Sequence, residues 1–216
     1  MPTKKVNAKE VKPERPSKKE ETHARMLAAA GRSFRRNGFA GIGVDGIAKA
    51  AGVTSGAFYA HFGSKDAAFF AAVVAGLDEV IDGIPRFQKK HGPDWLQAFA
   101  DYYLGQPHRD DLACGCAMTS LSPEIVRGGE ELHQLYETKM FLIAGLIAAG
   151  LAGGNSDQRL ARAWGYLGTL IGGLTITRAM QNRDSAETIA KAIKSAALGC
   201  AGEPAAEPTG GEGNGK

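Results

Sequence analysis

The chain has 216 residues, 44% of them hydrophobic, with a formal net charge of +3, which leaves room for one or two small domains around a sizeable core. Three cysteines, Cys114, Cys116 and Cys200, form an odd set without disulfide spacing. The N-terminus is charged where a secretion signal would be apolar, and the longest apolar runs, 141–154 and 163–177, fall short of the ~20 residues of a membrane span. A disulfide scaffold, a secreted protein and a membrane-spanning protein are therefore not expected, and the chain reads as cytoplasmic.

The small net charge conceals a division. Residues 1–65 carry 13 Lys and Arg against 5 Asp and Glu, whereas residues 66–216 carry 13 against 18. Basic charge gathered at one end suits a module that binds a polyanion, because Lys and Arg release counterions from phosphates. Residues 1–16, with Lys4, Lys5, Lys9 and Lys12 among polar residues and prolines, read as a disordered basic tail.

Ser17 and Glu20 make a capping-box pattern, so the first helix is expected from there to Asn37, with Leu27, Ala30 and Phe34 as its inner stripe and Gly38 closing it. Arg32, Arg35 and Arg36 near its end serve either as solvated charge or as flanks to a phosphate backbone. Next comes Gly41-Ile42-Gly43-Val44-Asp45-Gly46, which satisfies the G-x-G-x-x-G spacing of dinucleotide sites. That spacing carries meaning after a strand, and here an amphipathic helix precedes it, so the glycines are read as serving the interhelical turn.

A short helix is expected over about 44–51, with Val44, Ile47, Ala48 and Ala51 on one side. Gly52 stops it, since a left-handed stop penalises any residue with a Cβ, and Val53 plugs the gap. Thr54 or Ser55 can cap a second helix over about 55–62. Phe58 and Phe62 share one face of that helix, while Ser55, Gly56, Ala57, Tyr59 and Ala60 face away. This is a helix-turn-helix.

The run GFAGIGVDGIAKAAGVTSGAFYAHFGSKDAAF resembles the N-terminal DNA-binding domain of the TetR family of one-component transcriptional regulators, over roughly residues 17–75. The resemblance combines an Ile-Ala pair, an Ala-Gly-Val turn, a Tyr-x-His-Phe ending and a following Ser-Lys at fixed spacing. It implies that Thr54, Ser55, Gly56 and Ala57 enter the major groove. It also implies that Tyr59 and His61 contact the DNA backbone, with His61 alternatively a packing residue beside Phe62, and that Lys65 binds a phosphate. The family commonly has Thr or Ser where this chain has Gly43, and Gly46 weakens its helix by about 1 kcal/mol relative to Ala.

Ser64 can cap a helix from Lys65 to about Asp82, with Phe69, Ala72, Val73 and Val80 apolar. Gly83 and Pro85 interrupt the pattern, and His91-Gly92-Pro93-Asp94 reads as a turn with Asp94 as a cap. A helix follows from Trp95 to near Gln106, then a loop through Asp110-Asp111 and Cys114-Gly115-Cys116. Ser122-Pro123-Glu124 opens a helix running to about Ala149. The last two helices are expected at about 156–181 and 185–199, the second opened by Asp184-x-x-Glu187. Residues 201–216 read as a disordered tail.

The chain is thus expected to be all-α: a helix-turn-helix domain over 17–64 and a helical ligand-binding and dimerisation domain over 65–200. The resembled family hollows its C-terminal domain for a small effector, and the candidate lining residues are Trp95, Phe99, Tyr102, Tyr103, Met118, Leu121, Tyr136 and Met140, residues that equally suit plain core packing. Cys114 and Cys116 could form a thiol sensor of oxidants or electrophiles, or simply be small buried hydrophobes; no His or Cys nearby completes a metal set. Gly168 and Gly172, beside Trp164, Gly165 and Ile171, allow close approach of a partner helix, and the family dimerises through its last two helices. The implied function is a homodimeric regulator, a repressor by family habit, that leaves a palindromic double-stranded DNA operator when an unidentified small molecule binds. No cofactor is expected. Rival readings are a helical dimer with weak non-specific DNA binding, a thiol-responsive regulator, and a nucleotide-binding enzyme. The last of these lacks any G-x-S-x-G elbow, P-loop or H-E-x-x-H helix.

Overall fold

The computed structural model describes residues 17–202. The expected tail 1–16 and residues 203–216 of the expected tail 201–216 lie outside the described residues, whereas Ala201 is still helical and Gly202 follows as its cap. Among the described residues the fold is entirely helical. Helices α1 (Lys18–Asn37), α2 (Val44–Ala51) and α3 (Ser55–Phe62) form the N-terminal helix-turn-helix unit. The long α4 (Lys65–His91), a 3-10 turn (Gly92–Asp94), α5 (Trp95–Leu104), α6 (Gln106–Asp110), α7 (Ala117–Ser120), α8 (Ser122–Ile125), α9 (Glu130–Ala149), α10 (Ser156–Ala179) and α11 (Arg183–Ala201) follow.

The capping box of Ser17 and Glu20 is formed in full at α1. The buried face of α1 holds Ala30 and Phe34 as expected, but it is centred on Met26 and Ala29, with Leu27 only half-buried. Phe34, Ile47 and Phe58 are completely buried and join α1, α2 and α3 to the start of α4, where Phe69 meets Phe34 edge-on at 5.2 Å. An eight-residue helix is unstable alone, so this shared core is what holds α2 and α3.

α4 departs from expectation. It continues unbroken through Gly83 and Pro85 to His91. A proline inside a helix removes one hydrogen bond and costs about 3 kcal/mol, but Pro85 sits on the exposed side while Ile84 is fully buried. Phe87, one turn further on, packs edge-on against Phe99 at 5.3 Å. Tertiary packing of the inner face therefore carries the helix past its breaker.

The expected loop at 107–111 contains α6, begun by Pro107 near its start. Asp94 precedes α5 without a side-chain cap. The expected long helix from Ser122 is split into α8 and α9 by Gly128-Gly129, and Gly129 becomes the N-cap of α9. α11 begins earlier than expected because the side chain of Asn182, not Asp184, accepts from Ser185 N–H at 2.9 Å, and it extends to Ala201.

α10 and α11 pack closely. A Cβ on Gly173 would lie 2.3 Å from Ile193 Cγ2, so glycine is what lets the two axes approach. Arg162 fastens the ends by donating to the carbonyls of Ala152 and Gly153 (2.6 and 2.8 Å) and of Gly202. Ala152 and Gly153 lie in the loop between α9 and α10, and Gly202 is the C-cap of α11. No helix among the described residues is long and apolar enough to cross a membrane.

Candidate nucleic-acid interface and effector cavity

The turn between α2 and α3 is built as its sequence requires. Gly52 has φ 66° and ψ 37°, the left-handed conformation, and Val53 N–H donates to Ala48 at 3.0 Å. Thr54 caps α3 by accepting from Ala57 N–H at 3.2 Å, and Ser64 caps α4 by accepting from Ala67 N–H at 3.0 Å. α3 is thereby fixed at both ends, with Phe58 buried and Gly56, Tyr59 and Ala60 on its exposed side.

Thr54, Ser55, Gly56 and Ala57 stand together at the N-terminal end of α3. The Ser55 hydroxyl donates to the Asp45 carboxylate, which ties α3 to α2 and removes Ser55 as an unengaged donor. Tyr59 is 51% exposed and lies edge-on to Phe58. His61 is half-buried with its ring 5.6 Å from that of His23, so it shares in packing α1 against α3. The Lys65 ammonium sits 4.3 Å over the Phe39 ring, a cation–π contact that steadies the side chain beside the end of α3.

Two features escape sequence reasoning. Gly46 is not merely a weak helix residue: a Cβ there would lie 2.8 Å from Ile42 Cδ1, so the glycine makes room for the half-buried side chain entering α2. Arg35, grouped in the sequence with Arg32 and Arg36, turns inward. Its side chain is 8% exposed and pairs with Glu79 on α4 at 3.2 Å, while Arg32 and Arg36 remain exposed. Arg35 therefore links α1 to α4 and is not available to a phosphate.

A cavity of about 300 Å³ lies against the second half of α4. Of the eight expected lining residues, Phe99, Tyr102, Tyr103 and Met118 border it. The other four do not. Trp95 donates to the Gly150 carbonyl at 3.3 Å, Tyr136 shares a 2.7 Å hydrogen bond with Ser122, and Leu121 and Met140 are buried in the core. Phe87, Arg86, Lys90 and His108 border the cavity instead. Three of these lie beyond the point where the sequence pattern of α4 breaks, which is why the pattern hides them.

Cys114 and Cys116 also border the cavity. Both are free. Burial pushes the Cys116 thiol up, and desolvation followed by the Asp111 carboxylate pushes the Cys114 thiol up. An activated sensing thiol needs the reverse, an electropositive setting that favours thiolate.

His108 organises this wall. Its Nδ1 is 2.8 Å from the Tyr103 carbonyl and its Nε2 is 3.0 Å from Cys116 N, so the neutral ring donates through Nδ1–H and accepts the Cys116 N–H at Nε2. Arg178 from α10 donates to the His108 carbonyl at 2.8 Å and to Ser120 at 3.2 Å. Burial, reinforced by the Arg178 charge, holds the His108 pKa below the ordinary value and outweighs the opposing Tyr103 carbonyl and Asp111. Since the folded pKa is depressed, the unfolded chain binds the proton more readily. Stability is then full above the ordinary histidine value of about 6.5 and is lost as pH falls through that value toward the folded one. Thermal melts from about pH 7.5 to 5 are expected to fall on the acid side of that window. His108→Gln keeps one donor and one acceptor without titrating, so it is expected to flatten the fall; an unchanged fall would assign the effect elsewhere.

The expected dimer residues divide. Gly165 faces inward, where a Cβ would lie 3.2 Å from Cys200 Cβ, and Trp164 packs edge-on to Phe141 of α9 at 5.5 Å. Gly168 and Gly172 are exposed, with open space at each Cβ position. Ile171 is half-buried, and Ile176 on α10 and Phe141 and Leu142 on α9 are large apolar side chains left exposed.

Residues 26–72 match the family model for bacterial regulatory proteins, tetR family. Among solved structures, a transcriptional regulator of the TetR family from Cytophaga hutchinsonii superposes with a TM-score of 0.72 at 16% identity, covering 86% of this chain and 98% of that one. A TetR-family transcriptional regulator from Agrobacterium tumefaciens gives 0.68 at 18% identity, with 82% and 97% covered. The reduced form of E. coli NemR gives 0.67 at 19% identity, with the same two shares. No curated protein sequence matches the chain. At these identities the structural likenesses establish the fold, and the family match rests on the helix-turn-helix residues themselves.

Proposed function

From the match of residues 26–72 to the tetR family model we propose that this chain is a TetR-family regulator, a homodimeric repressor that holds a palindromic DNA operator and lets go when a small molecule fills the cavity beside α4. The observation that carries this reading is α4 itself. Lys65 at its first turn stands beside the end of α3, and Gly83, Arg86, Phe87 and Lys90 near its last turns wall the cavity. The 27-residue helix spans about 40 Å at 1.5 Å per residue. A ligand that prefers one position of its far end shifts the position of α3, and so the DNA affinity, by its differential binding.

Thr54, Gly56 and Ala57 are assigned to the groove, and Tyr59 and Lys65 to phosphates. His61 keeps α3 against α1. In vitro transcription across a promoter that the protein binds tests the sign of regulation. Less transcript with added protein supports repression, and more transcript overturns it.

The exposed glycines of α10 support a two-fold interface made by α10 and α11. Gly172→Leu, with Gly168→Leu, adds bulk where the single chain has open space. The paired variant is therefore expected to keep the helical circular dichroism of the wild type, because each replacement removes a helical glycine, yet to sediment as a monomer where the wild type is a dimer. A variant that stays dimeric would move the interface elsewhere.

A further inference from the structure

We propose that the cavity selects a flat, largely apolar molecule bearing one anionic group, with a carboxylate as the simplest case. This rests on the effector reading of the same cavity. Its inner wall is aromatic: Phe87 meets Phe99 edge-on at 5.3 Å, Phe99 stacks on Tyr103 at 5.8 Å, and Tyr102 stacks on His108 at 5.2 Å. Rings in such offset and edge-on arrangements present faces and edges that suit another flat ring.

The polar groups decide the charge. Arg86 and Lys90 stand one helical turn apart on α4, on either side of Phe87, and both are exposed at the cavity border. Among the described residues neither lies within 4.0 Å of a carboxylate. The one acidic lining residue, Glu79, is already matched by Arg35. His108 is neutral, with both ring nitrogens engaged inside the protein. Two uncommitted cations and no uncommitted anion therefore face the ligand. An ammonium would meet a like field, whereas a carboxylate would gain charge-assisted hydrogen bonds beside a low-dielectric wall.

The test uses three matched probes, 2-naphthoate, 2-naphthamide and 2-naphthylmethylammonium, titrated calorimetrically into the full chain without DNA. Naphthoate is expected to bind about 10-fold or more tightly than the amide, in line with hydrogen bonds to charged groups, and the ammonium weakest. R86Q with K90Q alters only exposed side chains and is expected to bring naphthoate to within about two-fold of the amide. Gly83→Leu, which projects a side chain into the cavity border where a Cβ meets open space, is expected to weaken both. The inference is overturned if the amide or ammonium binds as well as naphthoate, if none of the three binds, or if the preference survives R86Q with K90Q. Adding naphthoate to a protein–DNA complex separates the two claims. Selective binding without release of DNA sinks the effector reading and leaves the ligand chemistry standing, whereas release by a neutral compound alone does the opposite.

Discussion

Replacing Phe58 by alanine is expected to cost about 3–5 kcal/mol, the range for deleting a buried aromatic side chain, and to lower the melting temperature of the helix-turn-helix unit by about 10 °C or more. Phe58 is the one fully buried side chain of α3. It meets Phe62 at 5.1 Å and shares its core with Phe34 and Ile47. Nothing else holds α3 so firmly. The Thr54 cap supports only its first turn, and eight residues cannot sustain a helix in water. The loss should therefore appear as early melting of helical signal belonging to the N-terminal unit, together with loss of DNA binding, while naphthoate binding at the cavity persists. A variant that melts within a degree or two of wild type would mean that α3 is held by something other than this core.

Tyr59→Ala combined with Lys65→Ala is expected to weaken DNA binding about 30- to 1000-fold, equivalent to about 2–4 kcal/mol for two phosphate contacts, one of them charged. The fold should tolerate both changes. Tyr59 is half exposed, and Lys65 contributes only a cation–π contact over Phe39. Because Lys65 is assigned to a phosphate, the dependence of log affinity on log salt should lose about one unit of slope, and the loss should be similar for preferred and random duplexes. Circular dichroism on the same samples must stay unchanged. Wild-type affinity in the double variant would remove these residues from the interface and turn the search to Arg25, an exposed basic group of α1 that donates to the Ala51 carbonyl at the end of α2.

These expectations differ in how much of their basis the sequence exposes. The helix-turn-helix is legible because its determinants are local. Gly52 must turn left-handed, Thr54 and Ser64 must cap, and Phe58 and Phe62 must share a face, all between Gly52 and Ser64. The cavity is less legible because its walls come from segments far apart in the chain. Phe87 and Lys90 are hidden behind Pro85, a breaker overridden by burial of Ile84. His108 reads as a loop residue until its two ring nitrogens are seen to join α5 to the Cys116 backbone. Trp95, Leu121, Tyr136 and Met140 show the opposite failing: helical spacing identifies them as buried and cannot say whether what they face is a cavity or another side chain. Charge behaves similarly. Arg35 belongs by sequence to a basic cluster and by geometry to Glu79, a pairing 44 residues distant that no local pattern reveals.

The claim on which the account rests is that α3 reads a specific duplex as one half of a two-fold pair. The direct test is selection of bound duplexes from a randomised pool at about 0.15 M salt, where non-specific electrostatic binding is largely screened. Enrichment of an inverted repeat whose half-sites are centred about one helical turn, or a whole number of turns, apart is the predicted result. A pool that emerges without any enriched sequence, with retention that vanishes as salt rises, would contradict it.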